Sequence, residues 1–266
     1  MNAGEPIIVV KDLVKSFDGR RVLDGINLTA YKGETLVIMG GSGCGKSTLL
    51  RHMIGVHKPD SGSVTVKGKN ISSLQEEELD EIKKSFGMLF QSAALLDYLT
   101  VEENITLPLA EHTDLDPDII KIMVKMKLEL VGLSGFQDLK PSQISGGMKK
   151  RVGLARAIAM DPEIIFYDEP TAGLDPIVAA VIDKLIVDLS KKLMITSVVV
   201  THDMQSVFRI ADRVAMLYKG KVVEHGTPPE IRSSDNPLVK QFIEGNPDGP
   251  VSFIQSGDDY LKDLMK

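Results

Sequence analysis

The segment GGSGCGKST, residues 40–48, follows the apolar run TLVIM and precedes LLRHMIG, which has the spacing of a helix. Its glycines, Lys46 and Ser47 fit the pattern G-x-x-x-x-G-K-[ST]. Glycines let the backbone point its N–H groups at a phosphate without Cβ collisions, and the N-terminus of the following helix adds positive charge there. Lys46 supplies a mobile cation and Ser47 a hydroxyl ligand for Mg²⁺. The segment therefore predicts a binding site for the phosphates of a nucleoside triphosphate.

Composition limits the class of protein. The 266 residues, 43% of them hydrophobic, suffice for one large domain or two lobes. The formal charge of −6 argues against a surface that mainly binds nucleic acid, so we expect no nucleic-acid partner. The short basic cluster Lys149, Lys150 and Arg151 is interpreted as a solvated helix face, and the acidic run EEELDE at 76–81 as a solvated face.

The sequence also indicates a cellular setting. Its single cysteine, Cys44, excludes an intrachain disulfide framework and suits a reducing compartment. The N-terminus lacks the pattern of a signal peptide. The longest apolar run, IVAAVI at 177–182, is far shorter than the roughly 20 residues that span a bilayer. We expect a cytoplasmic protein, peripheral on the inner face of the cell membrane if a membrane subunit recruits it.

Hydrophobic patterns predict an α/β fold. Strands are predicted at about 7–14, 22–30, 35–39, 63–67, 86–90, 164–168, 196–201, 213–218 and 221–225. Helices are predicted after the glycine-rich segment and near 117–131, 147–160, 176–193 and 228–245, the helix at 176 being capped by Asp175. Three strands are apolar almost throughout, as parallel strands covered on both faces are. The first strands pair poorly with helices and predict an antiparallel sheet, and 92–150 is expected to form an inserted helical lobe.

A carboxylate pair follows one of these apolar strands. IIFYDE places Asp168 at the end of the strand and Glu169 directly after it, at the edge where open α/β sheets bind ligands. Asp168 is therefore the candidate for holding Mg²⁺, and Glu169 the candidate general base for the attacking water.

Further motifs identify a family. ISGGMKKR at 144–151 begins a helix with Ser145, Gly146 and Gly147, AGLD follows the acidic pair at 172–175, and VVVTHD places His202 after another strand. In order and spacing, these segments resemble the nucleotide-binding subunit of an ABC transporter, a P-loop NTPase fold. The resemblance covers about residues 7–230 and implies an ATP-binding domain over 1–234 with a C-terminal extension over 235–266.

The resemblance implies a role for each matching residue. It makes Gln91, after the strand FGMLF, a contact of Mg²⁺ and the attacking water, and His202 a contact of the γ-phosphate. Phe17, in KSFDG, matches the aromatic that stacks on adenine, and Asp175 matches a loop between two sites. The residues implied to bind ATP are Phe17, Gly40, Gly41, Ser42, Gly43, Cys44, Gly45, Lys46, Ser47, Thr48, Ser145, Gly146 and Gly147. The catalytic set is Glu169, His202 and Gln91, and the Mg²⁺ set is Ser47, Gln91 and Asp168.

The family works as a head-to-tail homodimer, in which the Ser-Gly-Gly motif of one subunit meets ATP on the loop of the other. Two helix N-termini then enclose the triphosphate charge. Bound ATP holds the closed dimer together, and hydrolysis of ATP loosens the dimer. The presence of both Glu169 and His202 argues against a regulatory module that does not hydrolyse ATP.

The variant Met148, the segment 87–109 and the tail DGPVSF at 248–253 are similar to ATPases of bacterial MCE/Mla-type lipid transport systems. This similarity implies an integral-membrane permease and, through it, a periplasmic MCE lipid-binding protein as partners. The apolar residues expected either to receive a permease helix or to pack the lobe are Ala93, Ala94, Leu95, Leu96 and Leu99. An importer ATPase for amino acids or other small solutes remains an alternative, and a non-transport ABC protein acting on ribosomes or DNA is disfavoured by the acidic balance.

Two further expectations concern single segments. Cys44 lies among the inward-facing amides of the glycine-rich segment, an environment that favours a reactive thiolate, and a buried, inert thiol is the alternative. The apolar tail residues are expected to dock, either on their own subunit or across the dimer, and they are Val251, Phe253, Ile254, Tyr260, Leu261, Leu264 and Met265.

Overall fold

The structure is a computed structural model that describes residues 4–250. It is an α/β fold with two sheets. The strands are β1 (Pro6–Phe17), β2 (Arg20–Tyr31), β3 (Thr35–Met39), β4 (Ser61–Val66), β5 (Lys69–Asn70), β6 (Phe86–Leu89), β7 (Ile164–Asp168), β8 (Thr196–Thr201), β9 (Arg213–Tyr218) and β10 (Lys221–Gly226). The apolar tail residues lie outside the described residues.

One sheet has six strands in the order β10-β9-β3-β8-β7-β6. Strands β9, β3, β8, β7 and β6 are parallel, and β10 pairs with β9 in the antiparallel direction. The predicted bounds of β3, β7, β8 and β9 are confirmed residue for residue. β3 and β8 are buried at every position, which explains their uninterrupted apolar and small side chains.

The other sheet has four antiparallel strands in the order β2-β1-β4-β5. It confirms the antiparallel sheet expected near the N-terminus. β5, only two residues long, was not predicted, because so short a strand has no periodicity to read.

The helices cover the six-stranded sheet and form the lobe. They are α1 (Lys46–Met53), α2 (Glu76–Lys83), α3 (Val101–His112), α4 (Pro117–Leu130), α5 (Gly146–Ala157), α6 (Pro176–Leu193), α7 (Met204–Ile210), α8 (Pro228–Arg232) and α9 (Pro237–Glu244). α3 and α4 fall within 92–150, where helices were expected. The helix predicted at 228–245 is wrong as one element: Asn236 caps a new helix whose first position is Pro237, and proline suits the first turn but not a helix interior.

The six-stranded sheet separates two apolar cores, because side chains alternate between the faces of a strand. From β3, Val37 and Met39 join the core shared with α5 and α6. Leu36 and Ile38 join the core that lies between the two sheets, which also contains Leu49 of α1. The core between the sheets therefore holds α1 in place at the end of β3.

Candidate nucleotide site

The site lies at the carboxyl edge of the six-stranded sheet. In the order β3-β8-β7, the segment at 40–48 follows β3, His202 follows β8, and Asp168 ends β7. Parallel strands present these ends on one side, so residues far apart in sequence meet there.

The segment at 40–48 forms a tight loop around the Lys46 side chain. The Lys46 ammonium group is buried and donates to the carbonyl oxygens of Gly40, at 2.8 Å, and Gly41, at 3.0 Å. Gly40 has φ +152, and a Cβ there would lie 2.2 Å from the Leu217 carbonyl oxygen, so only glycine fits. α1 begins at Lys46 without a side-chain cap, which leaves its first N–H groups to a ligand.

The loop is joined directly to the acidic pair. The Ser47 hydroxyl donates to Asp168 Oδ1 at 3.1 Å. Gln91 and Asp168 line one open cleft of about 500 Å³. Among residues 4–250, no group of three or more His, Cys, Asp or Glu side chains could hold a metal by itself. The Ser47 and Asp168 oxygens fit Mg²⁺, which takes few protein ligands and completes its shell with phosphate and water oxygens.

Glu169 is buried and contacts His202. Its carboxylate Oε1 accepts a hydrogen bond from His202 Nδ1 at 2.9 Å, while the His202 side chain is 60% exposed. Glu169 also has φ +49, a conformation that residues other than glycine seldom adopt. Its backbone N–H donates to the Val200 carbonyl of β8 at 2.9 Å. The two residues assigned to hydrolysis therefore form one hydrogen-bonded pair beside the loop.

Phe17 ends β1 with a half-open ring, 40% exposed. Its ring centroid lies 5.7 Å from that of His57 in an edge contact, and Lys15 Nζ lies 5.4 Å from its centroid. The partner strand β2 packs against the loop, because a Cβ on Gly45 would meet the Val22 carbonyl and the Leu23 side chain. The Phe17 ring is thus partly exposed on the hairpin whose second strand packs against the loop.

The expectation of a reactive Cys44 thiolate is wrong. Cys44 is buried, and this burial raises the pKa of its thiol more than the nearby Lys46 charge lowers it. The inward-facing loop places its side chain in the core between the sheets rather than toward solvent.

The Ser-Gly-Gly motif begins α5. Ser145 caps the helix by accepting a hydrogen bond from the Met148 N–H at 3.3 Å. Ser145 and Gly146 are exposed, whereas Gly147 is buried. In the described part of the chain, no hydrogen bond joins this motif to the loop at 40–48.

A buried polar network, not found from the sequence, connects the helices that follow the two motif strands. The Ser206 hydroxyl donates to Asp183 Oδ2 at 3.0 Å and lies 3.3 Å from the Thr171 hydroxyl. Thr171 is two residues beyond Glu169. As predicted, Asp175 caps α6, accepting from the N–H groups of Ile177 and Val178.

The interpretation of Lys150 as part of a solvated helix face is wrong. Lys150 is only 4% exposed. It shares a helix face with Gly147, Leu154 and Ala157, which are also buried. The spacing of these positions, three, four and three residues, is that of one helix face and could have indicated that Lys150 is buried. The neighbouring charges of Lys149 and Arg151 instead suggested a solvated face.

The apolar segment after Gln91 divides between packing and exposure. Ala93 is buried and Leu95 packs against the core, whereas Ala94 is exposed. Beside them, Phe90 is 43% and Tyr98 72% exposed. The segment is thus anchored in the lobe and still presents aromatic surface. No helix among the described residues is both long enough and apolar enough to cross a membrane.

Comparison with known proteins gives consistent matches. A family model described as ABC transporter matches residues 23–172. The chain is 43% identical to the intermembrane phospholipid transport system ATP-binding protein MlaF of Haemophilus influenzae, over 98% of each chain. It is 39% identical to the probable ribonucleotide transport ATP-binding protein mkl of Mycobacterium tuberculosis, over 95% of this chain and 70% of that protein.

Among solved structures, the chain matches the dimeric post-hydrolysis state of the ATP-binding cassette MJ0796 bound to ADP and Pi. The TM-score is 0.77 at 32% sequence identity, covering 83% of this chain and 98% of that one.

Proposed function

The chain belongs to the ABC transporter family, and on that premise we propose that it is the ATP-hydrolysing subunit of a bacterial phospholipid transporter of the MCE/Mla type. The hydrogen bond between Glu169 and His202, beside the phosphate loop and the Ser47–Asp168 pair, is the observation that carries this proposal. The similarity to MlaF along almost the whole chain supports phospholipid as the cargo.

In the proposed site, the loop amides of residues 40–48 and the Lys46 ammonium bind the phosphates of ATP. Lys46 is already held by two loop carbonyls, so its position is set before ATP arrives. Ser47, Asp168 and Gln91 hold Mg²⁺, which when bound neutralises phosphate charge during transfer. Phe17 is proposed to stack on adenine through its partly exposed ring.

Glu169 is proposed as the general base that polarises the attacking water, because its carboxylate is a proton acceptor fixed at the strand end. His202 holds that carboxylate through Nδ1, and its exposed ring is proposed to contact the γ-phosphate. Fixing both groups on neighbouring strands places the base before the reaction begins, which is how positioning lowers a barrier.

A second copy of the chain completes the site. Ser145 and Gly146 are exposed at the start of a helix and, among the described residues, make no hydrogen bond to the loop of their own subunit, which supports their use against ATP on the partner. The related cassette bound to ADP and Pi is also dimeric, which supports a second copy at the site. The permease is proposed to contact the exposed surface at Phe90 and Tyr98. The chain would then lie on the inner face of the membrane. A periplasmic MCE protein is proposed as a further partner, which the chain reaches through the permease.

The proposed ATP hydrolysis is tested with the variants Glu169→Gln and Lys46→Ala. We expect Glu169→Gln to bind ATP but to turn over on the order of 10²-fold more slowly, whereas Lys46→Ala weakens nucleotide binding itself. The measurements are phosphate release and the Kd of a fluorescent ATP analogue. Turnover like that of the wild type in Glu169→Gln, with contaminating ATPases removed, contradicts the assignment.

The cargo is tested separately. The chain is purified from its native membranes with its permease, co-purifying lipid is identified by mass spectrometry, and ATP-dependent transfer of fluorescent phospholipid is measured in proteoliposomes. Transfer that stops with Glu169→Gln supports the proposal. ATP-driven movement of a ribonucleotide or an amino acid, without lipid transfer, rejects the cargo and leaves the ATPase assignment intact.

A further inference from the structure

Lys150 is a buried cation at the site whose ammonium group contacts backbone rather than a carboxylate. Its Nζ donates to the Gln91 carbonyl oxygen at 2.5 Å and to the Glu169 carbonyl oxygen at 3.2 Å. Burial lowers the pKa of Lys150, against the opposing effect of the nearby Glu169 and Asp168 charges. A side chain from the second turn of α5 thus joins two loops that are 78 residues apart in sequence, from 91 to 169.

The backbone that Lys150 holds at Glu169 needs support. With φ +49, Glu169 occupies a left-handed conformation that persists only when its surroundings fix it. Its N–H is bonded to β8, and its carboxylate to His202. Its carbonyl oxygen accepts from Lys150 and from the Ala172 N–H, also at 3.2 Å. Of these groups that hold Glu169, Lys150 is the one that comes from the helical lobe.

The same helix holds the loop after Gln91. The guanidinium of Arg156 donates to the carbonyl oxygens of Ala93 and Ala94, each at 2.7 Å. Ala93 and Ala94 have φ +62 and +45, so this loop also contains left-handed residues that need fixing. Lys150 and Arg156 of α5 both donate to carbonyl oxygens of the segment from Gln91 to Ala94. Of these two cations, only Lys150 also donates to Glu169.

We infer that Lys150 is a positioning residue for ATP hydrolysis, which fixes the backbones of Glu169 and Gln91 relative to each other and to α5. The inference rests on the proposed function. A lysine suits the task because its ammonium has three donors on one atom and can serve two carbonyls at once. Since α5 begins at the exposed Ser-Gly-Gly motif, contact of that motif with a second copy acts on the helix that carries this anchor.

Lys150→Met tests the inference, because methionine keeps an unbranched apolar side chain and removes the donors. Lys127→Met is the matched control: Lys127 is also a buried lysine, 7% exposed, but it pairs with Asp161, which precedes β7 at the strand end opposite Asp168. Lys150→Arg restores charge and donors. Urea unfolding of each variant separates loss of stability from loss of position.

We expect Lys150→Met to lower kcat about 10- to 100-fold, as a displaced base does. The KM for MgATP stays within about twofold, because Lys46, Ser47 and Asp168 continue to bind MgATP and Gln91 is only one of its contacts. Lys150→Arg recovers much of the loss, and Lys127→Met keeps the wild-type kcat. Hydrogen exchange at 91–94 and 169–172 is faster in Lys150→Met alone.

A double-mutant cycle gives the sharpest comparison. In a Glu169→Gln background, measured by single-turnover hydrolysis, Lys150→Met has a much smaller effect than in the wild type, because its action through Glu169 is already lost. An equal loss in both backgrounds, or a wild-type kcat in Lys150→Met, overturns the inference. If Lys150→Met does not fold, Lys150→Gln takes its place in the same cycle. Absence of ATPase activity in the wild type defeats the proposed function instead.

Discussion

The adjacent glycines 146 and 147 differ in what a methyl group would meet, and this difference predicts opposite effects of alanine. A Cβ on Gly147 would lie 2.4 Å from Cγ1 of Val178 in α6. A Cβ on Gly146 would lie 3.8 Å from Leu174 Cδ2, an ordinary van der Waals contact. Val178 does not move aside at little cost, because a β-branched side chain in a helix has one strongly preferred rotamer.

The expected magnitudes follow from these distances. Overpacking lowers the free energy of unfolding by about 1–3 kcal/mol. The higher helix propensity of alanine than of glycine offsets up to about 1 kcal/mol of that loss. These two contributions together span about 0–3 kcal/mol. From the middle of that range, Gly147→Ala should lower the free energy of unfolding by about 1–2 kcal/mol, or the melting temperature by roughly 2–8 °C. Gly146→Ala should leave stability unchanged or raise it by a few tenths of a kcal/mol, since the helix gains alanine without a clash.

Thermal and urea unfolding followed by circular dichroism measure both variants without reference to activity. The same pair is then measured with Val178→Ala, which removes Cγ1 and leaves the nearest atom, Cβ, at 3.8 Å. The stability difference between the two alanine variants should nearly vanish in that background. If it persists, or if Gly147→Ala is as stable as Gly146→Ala, the close approach of α5 to α6 is not what requires glycine.

Three further predictions concern single side chains. Cys44 should react more slowly with iodoacetamide in the native protein than in urea, because burial raises the pKa of its thiol; equal rates, measured by mass spectrometry, would contradict this. Burial, with the nearby His57 and Lys15 charges, lowers the pKa of His52 below 6.5, so the unfolded chain binds a proton that the native chain does not. Stability should therefore fall as the pH drops below about 6.5, and His52→Gln should reduce that slope in urea titrations at each pH. Asn104→Ala should cost about 1–3 kcal/mol and speed hydrogen exchange at 96–100, because the buried Asn104 amide bonds the Leu96 N–H and three carbonyls of that segment.

Secondary structure was predicted best where one local pattern decides it. The bounds of β3, β7, β8, β9 and α6 agree with the sequence patterns residue for residue, because long apolar runs and the Asp-Pro start of α6 act within the element itself. The helix at 228–245 was wrong because apolar spacing continued across a break made by Asn236 and Pro237. Helix α7 was not predicted, since its seven residues are too few to show a period.

The sequence by itself determined the family, the order of the strands along the chain and the residue types of the site. These features could be predicted because the glycine, lysine and carboxylate motifs are each contiguous in the sequence. Only the tertiary structure brought Ser47 to Asp168, across 121 residues, and Glu169 to His202, across 33. It also decided that Cys44 and Lys150 are buried, which reversed both sequence interpretations. The physical reason is that a charge or a thiol takes its properties from what surrounds it, and those surroundings come from distant parts of the chain.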